Sequence, residues 1–328
     1  MSTFAESKPM LRPTGIHNGS MKINKDDCIS CGLCIENCPF KCLEMGEDNY
    51  PKMKAEYVCL SCHNCTIPCP TGAISAERTY YAQDSFFDIG APPAMKLPLS
   101  AQDADGKPVE WTEIERLIFE RRSVRNFKPD PVPDTLIRRV LEAGRFAPSG
   151  GNHQPWKFAV ITDQEFIGQI EGVLVGVFDG LYQTYSHDET AANLVGTLPP
   201  GFFDPRTQYG LRCTAKKELP VFLNAPVVIF LGSSDKCLTP ELNIGICGQN
   251  MNLAAVSLGL GFVWAGFGGV GADLVPAIKS KLGFEDPWRI ITAVCLGYPS
   301  FKQTGMVPRH SRPVTWFRPG AKGPEVEE

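Results

Sequence analysis

Eight cysteines of the chain stand in two copies of one arrangement, Cys28-x-x-Cys31-x-x-Cys34-x-x-x-Cys38-Pro39 and Cys59-x-x-Cys62-x-x-Cys65-x-x-x-Cys69-Pro70. Each cysteine of the second copy lies 31 residues after its counterpart, which makes the segment an internal duplication. Thiolates at this spacing hold a pair of [4Fe–4S] clusters. A cubane needs four thiolates converging from different directions, and a tight C-x-x-C-x-x-C turn supplies only three. The fourth comes from the distal Cys-Pro of the other copy. That assigns Cys28, Cys31, Cys34 and Cys69 to one cluster and Cys59, Cys62, Cys65 and Cys38 to the other. The proline after each fourth cysteine fixes φ and stops a further helical turn. Zinc modules more often show two separated C-x-x-C pairs, commonly with histidine, rather than this duplicated four-cysteine run.

A segment this small has little apolar material and depends on its metal to fold. It resembles the bacterial two-cluster ferredoxins, and the resemblance implies a ferredoxin-type domain over residues 20–79. Two positions differ between the copies: Gly32 is matched by His63, and Cys42 by Ala73. His63 reads as a solvated loop side chain, and Cys42 as a small buried one rather than a ligand.

The chain has 328 residues, 43% hydrophobic and 21% charged, with a net charge of −4. This length suggests two domains of an ordinary soluble protein. The slightly acidic balance, without basic patches, argues against nucleic acid as a partner. The first ten residues have no apolar core and do not read as a secretory signal. Thirteen cysteines without such a signal indicate a reducing, cytoplasmic compartment rather than a disulfide scaffold. Cys213, Cys237, Cys247 and Cys295 lack ligand spacing and read as structural. The stretch from Leu242 to Ala272 carries no charge, but its six glycines between Gly259 and Gly271 favour a buried helix–turn–strand passage over a membrane span.

Residues 80–110, with several prolines and the aromatics Tyr80, Tyr81, Phe86 and Phe87, read as a linker, and a compact domain follows over 111–328. Thr112-x-x-Glu115 is a capping box, and Ile114, Leu117 and Ile118 form the apolar stripe of the helix it opens. Asp134 is expected to cap a second helix with Leu136, Ile137, Val140 and Leu141 on one face. Strands are expected at Lys157–Thr162, Pro226–Leu231, Phe262–Ala265 and Ile290–Leu296. Helices are expected from Pro240 to Leu258 and from Asp273 to Leu282. The fold class is α+β, with helices outnumbering strands.

Four passages of this domain carry chemistry. Arg121-Arg122-Ser123-Val124-Arg125 offers three guanidiniums and a hydroxyl that can hold a phosphate and a polar chain. Ala147-Pro148-Ser149-Gly150-Gly151-Asn152-His153-Gln154-Pro155-Trp156 allows close backbone approach to a planar ligand. Trp264-Ala265-Gly266-Phe267-Gly268-Gly269 is a glycine-rich strand exit whose amides can face a ring edge. Leu296-Gly297-Tyr298-Pro299 is followed by Arg309, His310 and Arg312, which can close on a phosphate.

In this order the passages resemble the nitroreductase family of FMN enzymes over roughly residues 112–318. The resemblance implies a nitroreductase-like α+β sandwich, a homodimer, and FMN in a cleft contacted by both chains. It implies that Arg121, Arg122, Ser123 and Arg125 hold the ribityl-phosphate, and that Pro148, Ser149, Gly150 and Asn152 reach the flavin from the partner chain. Gly266 and Gly268 would lie against the isoalloxazine, with Arg312 on the phosphate and Arg309 beside it. The family often has Ser where this chain has Gly150, and Lys where it has His310.

Joined, the two halves suggest an oxidoreductase in which the clusters, charged by a ferredoxin-like donor, reduce FMN. The flavin would then reduce a small organic acceptor: a nitro compound, a quinone, an activated alkene or a carbon–halogen bond. NAD(P)H as the donor, with accessory clusters, is one alternative, although no G-x-G-x-x-G stands in the right context. A non-catalytic electron-transfer flavoprotein relaying to a partner protein is another. The enzyme reading is favoured by the aromatics of residues 168–218 (Phe178, Tyr182, Tyr185, Phe202, Phe203, Tyr209), which are placed to roof a pocket. His153, Tyr182, Tyr185 and His187 are conceivable proton donors, and none is assigned.

Overall fold

The computed structural model describes residues 20–55, 57, 59, 62–77, 105–186, 205–303, 305, 314–321 and 323–327. Most of the 80–110 linker lies outside them, as do His187, Phe202, Phe203, Arg309, His310 and Arg312.

The cysteine segment is built on two short antiparallel ladders. Strand β1 (Ser20–Ile23) pairs with β4 (Ile74–Glu77), and β2 (Leu43–Met45) pairs with β3 (Pro51–Met53), with the short helix α1 (Leu33–Glu36) between β1 and β2. Ladders of two strands are marginal alone. Here the buried Cys34, Cys38, Cys42, Leu43, Cys65 and Ile74 form one apolar cluster with Tyr209 and Cys213 from the larger half.

The larger half centres on a four-stranded antiparallel sheet in the order β5-β6-β8-β7, made from Lys157–Ile161, Val227–Ser234, Trp288–Gly297 and Gly261–Trp264. Strand β6 is a continuous apolar run and is buried on both faces. Val228 and Phe230 join one core, with Ile170, Leu174 and Phe178 of helix α4 (Gln164–Ser186). Val227, Ile229 and Leu231 join the other, with Ile137 and Val140 of α3 (Asp134–Arg145) and Met251 and Ala255 of α6 (Pro240–Ser257). The sheet is therefore covered by helices on both sides, as a two-sided hydrophobic strand requires. Helix α5 (Pro205–Ala215) packs on α4, and a C-terminal hairpin of β9 (Val314–Trp316) and β10 (Glu325–Glu327) completes the described elements.

The capping box opens helix α2 (Glu113–Glu120): Glu115 N donates to Thr112 Oγ1 at 3.3 Å, and Thr112 N donates to Glu115 Oε2 at 2.9 Å. Its apolar stripe is not core in the single chain, since Ile114 is 68% and Ile118 42% exposed. Asp134 is not a cap. Pro133 holds that position, and Asp134 is the first helical residue, where its carboxylate favours the positive end of the helix. The charge-free stretch forms α6, β7 and then a further helix, and among the described residues no helix is long and apolar enough to cross a membrane.

The helix expected over Asp273–Leu282 starts later, as α8 (Pro276–Lys281), and a further helix, α7 (Gly266–Asp273), stands before it where a strand exit was expected. Proline disfavours the helical region for the residue before it, and Val275 is extended at φ −111°, ψ 101°. Glycines form α7 because the helix lies directly on β8. A Cβ on Gly269 would clash with the Thr292 and Ala293 backbone. Gly269→Ala is expected to cost about 1–3 kcal/mol by overpacking. The check is the unfolding midpoint in denaturant, and an unchanged midpoint would mean that the helix is not seated this closely.

Candidate functional site

Four of the eight motif cysteines, those expected to hold the first cluster, meet in one place. Cys28, Cys31, Cys34 and Cys69 line a single pocket with Ile23, Leu33, Pro51 and Ala73. Burial pushes the Cys34 thiol up to about 11, and charge on Cys69 and Cys31 adds to the rise. In the second set, burial holds the Cys65 thiol well above its usual range, and charge on Cys62, Cys59 and Cys38 raises it further. Buried thiols such as Cys34 and Cys65 cannot ionise beside their neighbours without positive charge among them, and iron would supply that charge. Among the described residues no three His, Cys, Asp or Glu side chains close on a point as ligands of a single ion would. A cubane asks for less convergence, because each thiolate binds a different corner. The residues present fit such clusters.

The two odd positions in the repeat now have reasons. Gly32 and His63 both adopt the left-handed region, at φ 76° and 58°. Glycine enters it freely, and histidine does so less often. His63 is not the solvated loop side chain expected, being 7% exposed with Thr66 Oγ1 3.4 Å from its Nδ1. Cys42 is buried, as read, and its thiol is coupled to Cys38. The hydrogen bond from Cys42 lowers Cys38 and raises Cys42. The backbone N of Cys42 also donates to Cys38 Sγ at 3.3 Å. A donor for a ligand sulfur was not visible in the spacing.

The four passages of the larger half fall into two groups. Residues 121–128 run along the sheet edge: Val124 N donates to Phe262 O at 3.1 Å, and Ser123 bridges Phe262 in parallel. The same segment then meets the fourth passage, where Lys128 N donates to Tyr298 O at 2.8 Å. Strand β7 leads from Phe262 to Gly266, which opens α7 with clear space at its Cβ position. The first, third and fourth passages therefore share the β7 edge, with Arg121, Ser123 and Arg125 half-buried. Gly268 is buried, and a Cβ there would strike Phe222, so packing alone already requires this glycine.

The second passage lies elsewhere. It forms a short turn, Gly150–Asn152, with Gly151, Asn152 and Gln154 at positive φ and Ser149 Oγ accepting from Gln154 N at 2.9 Å. Pro148, Gly150 and Asn152 are exposed. This passage leads into β5, at the opposite edge of the sheet from β7. Three strand spacings separate those edges, about 14 Å. One chain does not bring its four passages together.

Two expected roles change. Arg122, expected on the FMN phosphate, is 3% exposed, and its guanidinium is turned toward the cysteine segment. Its Nη2 donates to Asn64 Oδ1, its Nε donates to Ser123 O at 3.3 Å, and its guanidinium carbon stands 5.7 Å from the Phe301 ring centroid. Two described members of the aromatic roof expected over 168–218 are core instead. Phe178 belongs to the α4 side of the sheet, and Tyr209 is fully buried against the cysteine segment. The Tyr209 hydroxyl donates to Phe40 O at 2.9 Å, and its ring meets Tyr57 edge-on at 6.0 Å. Asn126 Nδ2 donates to Asn37 Oδ1 at 3.0 Å, and the Tyr57 hydroxyl donates to Glu218 Oε2 at 3.4 Å. Asn37, Asn64, Asn126 and Glu218 carry no spacing that marks them, and only the folded chain reveals this seam. Tyr209→Phe is expected to lose about 1 kcal/mol for one hydrogen bond. Tyr209→Ala should lose roughly 3–5 kcal/mol, as for other large aromatics. Limited proteolysis should then release the cysteine segment first, and unfolding of both halves in step would count against the seam as the weak point.

Comparison with known proteins places both halves of the chain in families. The model of the nitroreductase family matches residues 118–298, and that of the 4Fe-4S binding domain matches residues 21–44. The 4-nitrobenzoate reductase of Pseudomonas putida is 28% identical over 57% of this chain and 85% of its own length. Nitroreductase NfnB of Mycolicibacterium smegmatis is 28% identical over 56% of this chain and 82% of its own. A solved nitroreductase with bound FMN from Desulfitobacterium hafniense DCB-2 aligns at a TM-score of 0.48 and 24% identity, covering 61% of this chain and 96% of that one.

Proposed function

The chain belongs to the nitroreductase family and carries a 4Fe-4S binding domain ahead of it, and from that premise we propose that two [4Fe–4S] clusters pass electrons to FMN, which reduces a small organic acceptor. Bound FMN supplies a centre that takes electrons one at a time and gives them up in pairs. In this reading Arg121, Ser123 and Arg125 hold its ribityl-phosphate, and Gly266 leaves room for the ring at the start of α7. Arg309 and Arg312, outside the described residues, would add to the phosphate site. Pro148, Ser149, Gly150 and Asn152 come from the second chain of a homodimer. The separation of their loop from the β7 edge supports this, as do the exposed Ile114 and Ile118 on α2 and the 74% exposed Phe146 beside the loop.

The observation that carries the proposal is the seam. The segment holding Arg121, Ser123 and Arg125 also holds Arg122 and Asn126, which bond directly to the cysteine module. Donor and acceptor centres are thus fixed against one another, and a covalent tether raises their effective concentration further. The reaction overall moves two electrons and two protons to the acceptor, for example across an activated double bond, and leaves two equivalents of donor oxidised.

Protein purified without oxygen should carry about eight irons, as two cubanes require, and one FMN per chain. Reduced ferredoxin should bleach the flavin quickly in the intact protein and at least about tenfold more slowly in Cys62→Ser, a difference of about 1.4 kcal/mol in barrier. Stopped-flow absorbance gives both rates, and equal rates would take the clusters out of the path. Bleaching by NADH or NADPH at the same rate in both proteins would identify the nicotinamide as donor.

A further inference from the structure

We infer that the two clusters act in a fixed order, with the one held by Cys59, Cys62, Cys65 and Cys38 next to the flavin and the one held by Cys28, Cys31, Cys34 and Cys69 facing outward. This deepens the proposed function and rests on it for the presence of both cofactors.

The contacts across the seam collect on one side of the cysteine module. Asn64, which receives Arg122, lies between Cys62 and Cys65. Asn37, which receives Asn126, immediately precedes Cys38, and Asn126 Nδ2 also reaches Glu36 O at 3.5 Å. Phe40, which receives Tyr209, and Cys42, with its Sγ 3.9 Å from the Tyr209 hydroxyl, follow Cys38 closely. Tyr57 and its bond to Glu218 stand just before Cys59. These anchors all flank ligands of the second set. The pocket of the first set is lined by module residues alone, with Cys31 exposed and Ile29 63% exposed beside it. Electron tunnelling falls off exponentially with distance. A donor meeting the outer face therefore reaches the first set, and the flavin segment meets the second.

A bonded chain marks the inner connection. The Arg122 guanidinium donates to Asn64 Oδ1, and Asn64 Nδ2 donates to Cys62 Sγ at 3.2 Å. The cation polarises the Asn64 amide and strengthens its donation to sulfur. Donors to ligand sulfurs favour the reduced, more negative cluster and raise its potential. Arg122 is thus a positioning residue that joins the phosphate-binding segment to a cluster ligand. In the other set, Thr71 Oγ1 stands 3.7 Å from Cys69 Sγ and lines the pocket of the first set.

Redox titration of the full-length protein, followed by cluster EPR and by the phosphorus NMR line of bound FMN, tests the order. Reduction of the nearer cluster makes it paramagnetic and broadens the FMN phosphorus line. Asn64→Ala should lower the reduced fraction of that broadening cluster several-fold at fixed potential, a tenfold change being about 59 mV for one electron. Thr71→Val should shift only the other cluster. The order is overturned if broadening follows the cluster sensitive to Thr71→Val, if neither cluster broadens the line, or if Asn64→Ala shifts neither. Should Asn64→Ala fail to assemble, the Thr71→Val arm alone decides between the two clusters. The phosphorus line reads distance whether or not electrons take this route, so failure of the route appears in the Cys62→Ser rates and leaves this measurement intact.

Discussion

Burying a guanidinium requires acceptors placed to receive it, and at Arg122 one of those acceptors, Asn64, comes from a different part of the chain. That requirement fixes the relation between the two halves. The Ser123 carbonyl takes one donor, Asn64 takes another, and Phe301 covers a face of the plane. Removing Asn64 would leave charge facing apolar surroundings, so the cysteine module cannot shift without disturbing the segment that holds Arg121 and Arg125. The apolar part of the same seam is Tyr209 and Cys213, which give the small module a core that it cannot build from its own ladders.

Much of this was legible in the sequence wherever local chemistry dictates geometry. Cysteine spacing put Cys28, Cys31, Cys34 and Cys69 in one set, and the folded chain lines one pocket with them. The capping box at Thr112 and Glu115 and the apolar run of β6 were equally plain, since each depends on near neighbours or on a simple periodicity. Long-range complementarity was hidden. Arg122 looked like its neighbours Arg121 and Arg125, and nothing in their spacing says which guanidinium turns away from the ligand. The glycines of 266–269 read as a strand exit, since glycine is a poor helix former. Only their contact with Thr292 and Ala293 of β8 explains why a helix forms there. Tyr209 read as a pocket aromatic for the same reason, since its partner lies 169 residues away at Phe40.

The arrangement of the flavin passages places a demand on assembly. The first, third and fourth share the β7 edge, and the second precedes β5 at the far edge of the sheet. A chain acting alone has no short path to join them, because the sheet itself lies between. The proposed two-fold axis would supply that path, and the exposed apolar stripe of α2 stands directly before Arg121, where a neighbouring chain would also steady the residues proposed to hold the phosphate.

Strand β6 has no face toward water, and Val227 through Leu231 are fully buried between two helical layers. Their amides can meet solvent deuterium only when the whole sheet opens, so exchange at these residues clocks global unfolding. The two-stranded ladders around the cysteines have no such shelter, and a single molecule thus contains a slow timer and a fast one, joined at Arg122 and Tyr209.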